Sequence, residues 1–150
     1  MPATVRGTAN RLVTTVRRRQ RDADRNWIDA LGSDDNGRTW RWLSRVGDTG
    51  RGNGNPPALL RLRDGRLCCV YANRDRNQIV ARLSADDGRH WADEVILRGD
   101  YRPDRHGDAD LGYPRLFQRR DQRLVAVYYW CAPTGPDALI AATLWTPSER

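Results

Sequence analysis

The sequence predicts an all-β fold made of about three four-stranded blades of a β-propeller, and two observations carry this prediction. The first is an internal repeat that divides the 150 residues into three segments of similar pattern. The second is a short Ser-x-Asp-x-Gly motif that occupies the same place in two of these segments. No segment shows a sustained helical period, so we expect strands throughout. The blades are predicted at residues 1–46, 47–100 and 101–150.

Each repeat begins with a proline before a short apolar stretch, and a leucine follows ten residues after the proline. The prolines are Pro2, Pro57 and Pro114, so successive repeats lie 55 and 57 residues apart. This spacing is close to the period of roughly 40–50 residues typical of four-stranded blades. A β-sandwich of short strands is the alternative, but a sandwich needs no such repeat. A further strand is expected near Ile28, Ile79 and Ile140.

Alternating apolar residues and turn residues predict four strands in the middle repeat. They are expected at residues 58–63, 66–72, 78–84 and 90–98. Asp64 and Gly65 between the first two are a strong hairpin signal. Pro57 is acceptable at the head of the first strand, because its missing N–H group is not needed there.

The sharpest motif, the Asp box, lies between the third and fourth strands. It consists of Ser33, Asp35, Gly37, Thr39 and Trp40 in the first repeat and of Ser84, Asp86, Gly88 and Trp91 in the second, where His90 replaces the threonine. The Ser and Asp side chains suit hydrogen bonds within their own turn, and Gly suits a positive φ. Each Trp is expected to bury a large apolar face. We therefore interpret both boxes as structural, rather than as metal-binding or catalytic carboxylates.

Composition and charge exclude several classes of protein. The net charge is +7 and every basic residue is Arg, but the arginines are spread along the chain and interleaved with Asp, whereas nucleic-acid binding favours a clustered basic face. We therefore predict no nucleic-acid partner. The three cysteines (Cys68, Cys69 and Cys131) are too few and too oddly placed for a disulfide framework. No His/Cys spacing indicates a metal site, and no cofactor is predicted.

No apolar run approaches the roughly 18 residues that a membrane span needs, and the first residues have no signal-peptide core. The chain is therefore expected to have no membrane contact and, by default, a cytoplasmic location.

The two Asp boxes, with Asn-Pro-Pro-Ala-Leu-Leu at 55–60, Asp-Gly-Arg-Leu at 64–67 and Leu-Gly-Tyr-Pro-Arg at 111–115, resemble the sialidase superfamily of BNR-repeat proteins. The likeness is greatest to its bacterial exo-α-sialidase-like branch. It covers nearly the whole chain but only the C-terminal half of such a protein. The resemblance implies a six-bladed propeller, of which this chain supplies the last blades. It also implies a glycoside hydrolase that acts on or binds the terminal acidic sugars of glycans.

In a four-stranded meander the Asp boxes share one end of the propeller with the first hairpin turns, and the remaining loops share the opposite end. The family's active sites lie at that opposite end, around the mouth of the channel. Arginine suits a sugar carboxylate there because its planar fork binds a carboxylate through two hydrogen bonds. The candidate substrate-binding residues are Arg19, Arg51, Asn55, Arg74, Asp110 and Arg115.

The resemblance also implies a tyrosine nucleophile polarised by a glutamate, together with an aspartate acid/base. Tyr113 matches the nucleophile's position, with Pro114 in place of the family's serine, and a packed aromatic residue is the alternative. The only glutamates, Glu94 and Glu149, are not expected to reach Tyr113, and the acid/base aspartate belongs to an earlier blade. We therefore expect no sialidase turnover from this chain alone. The alternative function is a non-catalytic module that binds a glycan or a protein.

Three blades leave two strand edges and two apolar faces without a neighbour, and propellers normally remove such edges by closing into a ring. The sequence therefore predicts self-association, in which two copies complete a six-bladed ring related by two-fold symmetry. The apolar residues expected to be partly uncovered are Val5, Val13, Leu116, Val125 and Val127.

Overall fold

The structure, a computed structural model, describes residues 1–7, 10–52, 54–101, 111–131 and 138–147. Those residues form eleven antiparallel strands in three sheets, which confirms the predicted all-β class. Sheet 1 contains β1 (Ala3–Arg6), β2 (Leu12–Gln20), β3 (Arg25–Ser33) and β4 (Arg41–Gly50). Sheet 2 contains β5 (Ala58–Arg61), β6 (Leu67–Asn73), β7 (Gln78–Ser84) and β8 (Val95–Arg98). Sheet 3 contains β9 (Gly112–Gln118), β10 (Leu124–Cys131) and β11 (Ala138–Trp145).

Each sheet is a simple meander in which neighbours in sequence are neighbours in space. The first strands β1, β5 and β9 lie side by side, so the three sheets are arranged like adjacent blades around a common axis. Sheet 2 is the middle blade and packs against a sheet on each side. The strands predicted near Ile28, Ile79 and Ile140 are confirmed as β3, β7 and β11.

Alternation along β6 explains how sheet 2 serves two cores. Cys69 and Tyr71 belong to the core shared with sheet 1, whereas Cys68 and Val70 belong to the core shared with sheet 3. Because successive side chains of a strand point to opposite faces, the fully buried β6 contributes to both cores. The two adjacent cysteines therefore lie on opposite faces.

The fourth strand of sheet 2 is shorter than predicted, beginning at Val95 instead of residue 90. The Asp-box turn occupies the intervening residues, and the Ala92 amide donates back to the Leu83 carbonyl over 2.8 Å. The guanidinium of Arg82 donates to the Ala92 carbonyl over 2.6 Å, which holds this segment outside the regular ladder.

The apolar residues predicted to be uncovered fall into two groups. Val13 is fully buried, so for this residue the prediction was wrong. Leu116 is half-buried, and its buried part packs against the core between sheets 2 and 3. Val5, Val125 and Val127 are half-buried. None of the described residues forms a helix long and apolar enough to cross a membrane.

Candidate functional site

The first Asp-box turn is a closed network of hydrogen bonds around Ser33 and Asp35. Ser33 Oγ donates to Asp35 Oδ1 over 2.7 Å and accepts from the Gly37 amide over 2.8 Å. Asp35 also accepts from the Thr39 amide over 2.9 Å and from the Thr39 hydroxyl over 2.6 Å. Gly37 has a φ of +92°, where a side chain is strained. These contacts support the structural interpretation of this motif.

The second Asp-box turn repeats this network with histidine in place of threonine. Ser84 Oγ donates to Asp86 Oδ1 over 2.9 Å and accepts from the Gly88 amide over 2.8 Å. The His90 amide donates to Asp86 Oδ1 over 2.9 Å, and the His90 ring nitrogen Nδ1 lies 2.5 Å from Asp86 Oδ2. The imidazole thus occupies the place of the threonine hydroxyl, which explains why the motif tolerates this replacement.

The box networks hold the pKa values of both carboxyl groups at about 2. The largest cause for Asp35 is the hydrogen bond donated by the Thr39 hydroxyl. For Asp86, burial acts to raise the pKa, but hydrogen bonds from His90 and Ser84 together outweigh it. Both aspartates are therefore fixed as anions at neutral pH, and neither is a proton donor for catalysis there.

We expect these two carboxylates to make folding stability fall in acid. Because their folded pKa values lie below the unfolded value of about 3.9, the stability they contribute is complete above about pH 4 and is lost as the pH falls toward 2. Melting temperatures measured from pH 6 to pH 2 check this. The Asp35→Asn/Asp86→Asn variant should be less stable at pH 6 and should lose less between pH 4 and pH 2. An equal acid loss in both proteins would contradict this role.

At the opposite end from the Asp boxes, the loops of sheet 1 form a cavity of about 490 Å³ that Asp75 of sheet 2 borders on one side. Its walls come from the β2–β3 turn, from the ends of β3 and β4, and from Asp75 in the β6–β7 turn. The sequence predicted that these loops share one end, and the structure brings them together there.

Two of the cavity's arginines lack an anionic partner. Within the described part of the chain, no carboxylate lies at ion-pair distance from the guanidinium of Arg25 or Arg51. Arg45 is different, because its guanidinium lies 4.5 Å from the centre of the Trp27 ring and its Nη1 lies 3.5 Å from Asp48 Oδ1. The cavity therefore offers two guanidinium groups that have no carboxylate partner among the described residues, beside an aromatic ring.

The aspartates around the cavity hold its loops in place. Asp24 Oδ1 accepts from the Gly52 amide over 3.1 Å, and Asp75 Oδ1 accepts from the Arg51 amide over 3.0 Å. A Cβ built on Gly50 would lie 2.7 Å from the Asp75 amide nitrogen, so the two loops approach closely only because residue 50 is glycine. These carboxylates shape the cavity through backbone contacts.

The sequence matches a known protein family over most of its length. The family model of the BNR repeat-like domain matches residues 1–126. The chain belongs to this family. Among curated protein sequences, none matches the chain significantly.

Several solved structures that resemble this BNR repeat-like domain are β-propellers of proteins that act on or bind sugars. The GH93 α-L-arabinofuranosidase of Fusarium graminearum, in complex with arabinobiose, is 19% identical with a TM-score of 0.64, over 94% of this chain and 44% of the enzyme. A Hadza microbial sialidase is 17% identical with a TM-score of 0.64, over 96% and 34% of the two chains. This domain therefore spans less than half the length of either enzyme.

A smaller protein has a similar fold over nearly its whole length. The fucose lectin of Kordia zhangzhouensis, in complex with methyl-fucoside, is 10% identical with a TM-score of 0.63. The match covers 99% of this BNR repeat-like chain and 94% of the lectin. At this identity the likeness shows the fold alone.

The structure distributes the predicted substrate-binding residues of this BNR repeat-like domain among several places. Arg51 lines the cavity, and Arg19 stands beside it, with its Nη2 3.8 Å from Asp24 Oδ1. The Arg74 amide donates to the Thr49 carbonyl over 3.1 Å, so the β6–β7 turn is fastened to β4.

The remaining candidates lie away from this cavity. Asn55 is fully buried, and its Oδ1 accepts from the Tyr113 amide over 3.2 Å, so its present contact is with the backbone. Arg115 lines a second cavity of about 250 Å³ where the prolines head the first strands. Asp110 lies outside the described residues. Ligand contacts by these three residues stay predictions.

Tyr113 is placed as an aromatic residue on the outer face of sheet 3. Its ring meets that of Tyr129 edge-on, with the ring centres 5.8 Å apart, and its φ is +51°. No carboxylate of the described residues hydrogen-bonds to its hydroxyl group. This environment supports the packed alternative, and the nucleophile role stays a prediction.

A tyrosine–glutamate pair does exist in this BNR repeat-like domain, at a place that the sequence did not indicate. The Tyr71 hydroxyl donates to Glu94 Oε1 over 2.6 Å, and Arg76 donates to Glu94 Oε2. Tyr71 is fully buried, and its burial and its bond to Glu94 raise its pKa far above the ordinary value. For Glu94, burial acts to raise the pKa, but the bonds from Tyr71 and Arg76 lower it overall. The pair is therefore a structural clamp and not a nucleophile.

Sequence reasoning also missed the part of the cavity formed by strands. Trp27 lies in β3, and its indole Nε1 donates to Asp29 Oδ1 over 2.9 Å, which fixes the ring. Arg25 lies at the start of the same strand, within a loop range that the sequence selected, but not as a named ligand. A tryptophan two residues after an arginine-rich turn was the signal available.

Proposed function

We propose that this BNR repeat-like domain binds an acidic sugar in the cavity at the loop end of sheet 1. The observation that supports this most is the pair of arginines, Arg25 and Arg51, which line the cavity without a carboxylate partner in the described chain. An arginine fork binds a carboxylate through two parallel hydrogen bonds. The ring of Trp27 adds a flat apolar surface suited to the face of a sugar ring. A terminal sialic acid carries both features.

Similar structures support the general class of ligand. The arabinofuranosidase was solved with arabinobiose and the lectin with methyl-fucoside, so proteins of this fold bind sugars. The preference for a sugar that carries a carboxylate follows from this chain's own arginines, Arg25 and Arg51.

We propose binding instead of glycoside hydrolysis. Hydrolysis normally needs two carboxyl groups, one of which donates a proton. Asp24 and Asp75 accept hydrogen bonds from loop amides, and Asp48 faces Arg45. Tyr113 lies on another sheet, and the glutamate that pairs with a tyrosine does so with the buried Tyr71. The exo-α-sialidase likeness is then one of ancestry.

Calorimetric titration with N-acetylneuraminic acid tests this proposal. The chain should bind the acid more tightly than it binds the neutral arabinobiose. The Arg25→Gln/Arg51→Gln variant should bind the acid at least about tenfold more weakly, because two charge-assisted bonds are lost. The matched control is Arg38→Gln/Arg120→Gln, which removes the same charge from exposed positions in turns at the Asp-box end.

Three results would overturn the proposal. The first is equal affinity for the acidic and the neutral sugar, and the second is an equal loss in the control variant. The third is release of the fluorophore from a fluorogenic sialoside, since that result would show hydrolysis by groups on this chain.

We further propose that the chain self-associates, so that two copies with three sheets each complete the propeller. The chain spans 44% of the arabinofuranosidase, which supports a pair of copies as the equivalent of one whole propeller. The contact between the two copies does not depend on which sugar the cavity binds.

A further inference from the structure

We infer that the outer face of sheet 3 packs against the outer face of sheet 1 of a second copy. This head-to-tail contact, made twice, closes a ring of six sheets. The inference deepens the self-association proposed above by naming its two faces. It is independent of the identity of the sugar.

The repeat itself shows which face of sheet 3 lacks a neighbour. Ile28, Ile79 and Ile140 hold the same place in the three repeats, on the side that faces the following sheet. The first two are fully buried, one against sheet 2 and the other against sheet 3. Ile140 is 67% exposed. The same side chain thus lacks the covering sheet that its counterparts have.

Strand β10 repeats this pattern. Cys68 and Val70 on β6 are fully buried against sheet 3. Their counterparts, 57 residues later, are Val125 and Val127, which are only half-buried and belong to neither core. The face that sheet 2 buries is therefore the face that sheet 3 leaves open.

Apart from the exposed Arg115, which pairs with Val127, the open face of sheet 3 is apolar across all three described strands. Phe117 and Leu144 both pair with Val125, and Ile140 pairs with Tyr129, so the side chains form cross-strand rows. Soluble monomers rarely expose large contiguous apolar patches. The large apolar side chains exposed here are Tyr113, Phe117, Tyr129, Ile140 and Leu144.

Sheet 1 is uncovered on the complementary side, the one that faces a preceding sheet. In sheet 2 the box tryptophan Trp91 bonds across to Ser44 of sheet 1, with Nε1 and Oγ 3.0 Å apart. Trp40 holds the same place in sheet 1, which has no preceding sheet among the described residues, and it is 41% exposed. Trp42, which pairs with Leu31 beside it, is 62% exposed. Sheet 1 thus presents tryptophans where a preceding sheet would lie.

These two faces fit one occupant. Among the described residues, the following side of sheet 1 meets the preceding side of sheet 2, and sheets 2 and 3 meet in the same way. The sides left open in this part of the chain are the following side of sheet 3 and the preceding side of sheet 1. A second copy supplies both at once. Because the two faces differ, the contact is heterologous, and two copies close it around a two-fold axis.

Light scattering during size-exclusion chromatography gives the first test. We expect a mass of twice 17.2 kDa from about 1 to 100 µM protein. Ile140→Glu should give a monomer, because a charge is placed at the centre of the apolar face. The matched control is Ile96→Glu on β8, where the isoleucine is 57% exposed but lies on an outer strand of the middle sheet. The control should keep the double mass.

A mixing experiment tests the head-to-tail geometry. Trp42→Arg alone should also give a monomer. When it is mixed with Ile140→Glu, each pair regains one native contact and one contact between opposite charges, so the double mass should return. Both side chains are exposed in one copy, so neither substitution should prevent folding. Thermal melting of each variant checks this.

A monomer at all concentrations would overturn the inference, as would a dimer that survives Ile140→Glu. Failure of the mixed variants to associate would overturn the head-to-tail contact. The residues that line the sugar cavity all come from one copy, and Trp27 lies on the face of sheet 1 that the second copy covers, so monomeric Ile140→Glu should bind the acid at least as tightly as the dimer. Loss of one property without the other therefore shows which proposal has failed.

Discussion

Replacing Gly47 with alanine should destabilise the chain by about 3 kcal/mol, although only one methyl group is added. A Cβ at residue 47 would overlap the hydroxyl oxygen of Tyr71 and would lie 2.7 Å from its Cζ. Gly47 does not have a positive φ, so the expected loss comes from the clash and not from backbone strain. The new methyl group thus acts directly on the contact between sheets 1 and 2.

Tyr71 has little freedom to move away from such a methyl group. Its ring lies in the core with Val46 and Val80, and its hydroxyl is held by Glu94. On the other side, Arg82 donates to the Val46 carbonyl over 2.6 Å, which fixes β4 against sheet 2. Sheet 1 must therefore shift as a whole, or the tyrosine must give up its hydrogen bond.

Urea unfolding of Gly47→Ala measures this loss. Gly99→Ala is the control, because its nearest neighbouring atom would be an ordinary 3.5 Å away, and we expect a change below about 0.5 kcal/mol. Tyr71→Phe removes the overlapping oxygen, so it should cost less in the Gly47→Ala background than in the parent chain. Strict additivity of the two changes would show that residue 47 and the hydroxyl do not interact.

The sequence predicted the features of the fold that local chemistry determines. Pro57, the Asp64–Gly65 hairpin and the box glycines specify turns within a few residues, so the strands between them could be placed. The end of β5 at Arg61 was missed, because Leu62 already belongs to the Asp64–Gly65 turn, where its carbonyl accepts from the Gly65 amide over 3.0 Å. The late start of β8 was missed, because the Asp-box turn competes with the ladder for the same backbone.

Contacts between residues that are far apart in the sequence could not be predicted from local sequence patterns. Tyr71 and Glu94 are 23 residues apart and meet only because β6 and the start of β8 share one sheet. The loops of the cavity were predicted as a group, since a meander must send them to one end. Trp27 was not selected, because its position two residues after an arginine-rich turn suits a core residue as well as a cavity wall.

The two box tryptophans show that the burial of a side chain in a repeated motif depends on the sheet that packs against it. The sequence predicted a buried ring for both, and for Trp40 this was wrong, since it is 41% exposed. Its Nε1 donates only within its own turn, to the Gly37 carbonyl over 3.1 Å. Trp91 is half-buried and bonds to Ser44, whose Oγ in turn donates to the Gly88 carbonyl over 2.6 Å. Only the second ring joins two sheets.

We therefore expect Trp91→Ala to destabilise the chain by about 3 kcal/mol and Trp40→Ala by about 1 kcal/mol or less. Urea unfolding of both, in the monomeric Ile140→Glu background, makes the comparison fair, because a second copy would otherwise cover Trp40. Ser44→Ala should reduce the loss caused by Trp91→Ala and leave that of Trp40→Ala unchanged, since only Trp91 contacts this serine. Equal losses for the two tryptophans in that background would show that the box turn alone determines their contribution, and that the contact with the preceding sheet adds nothing.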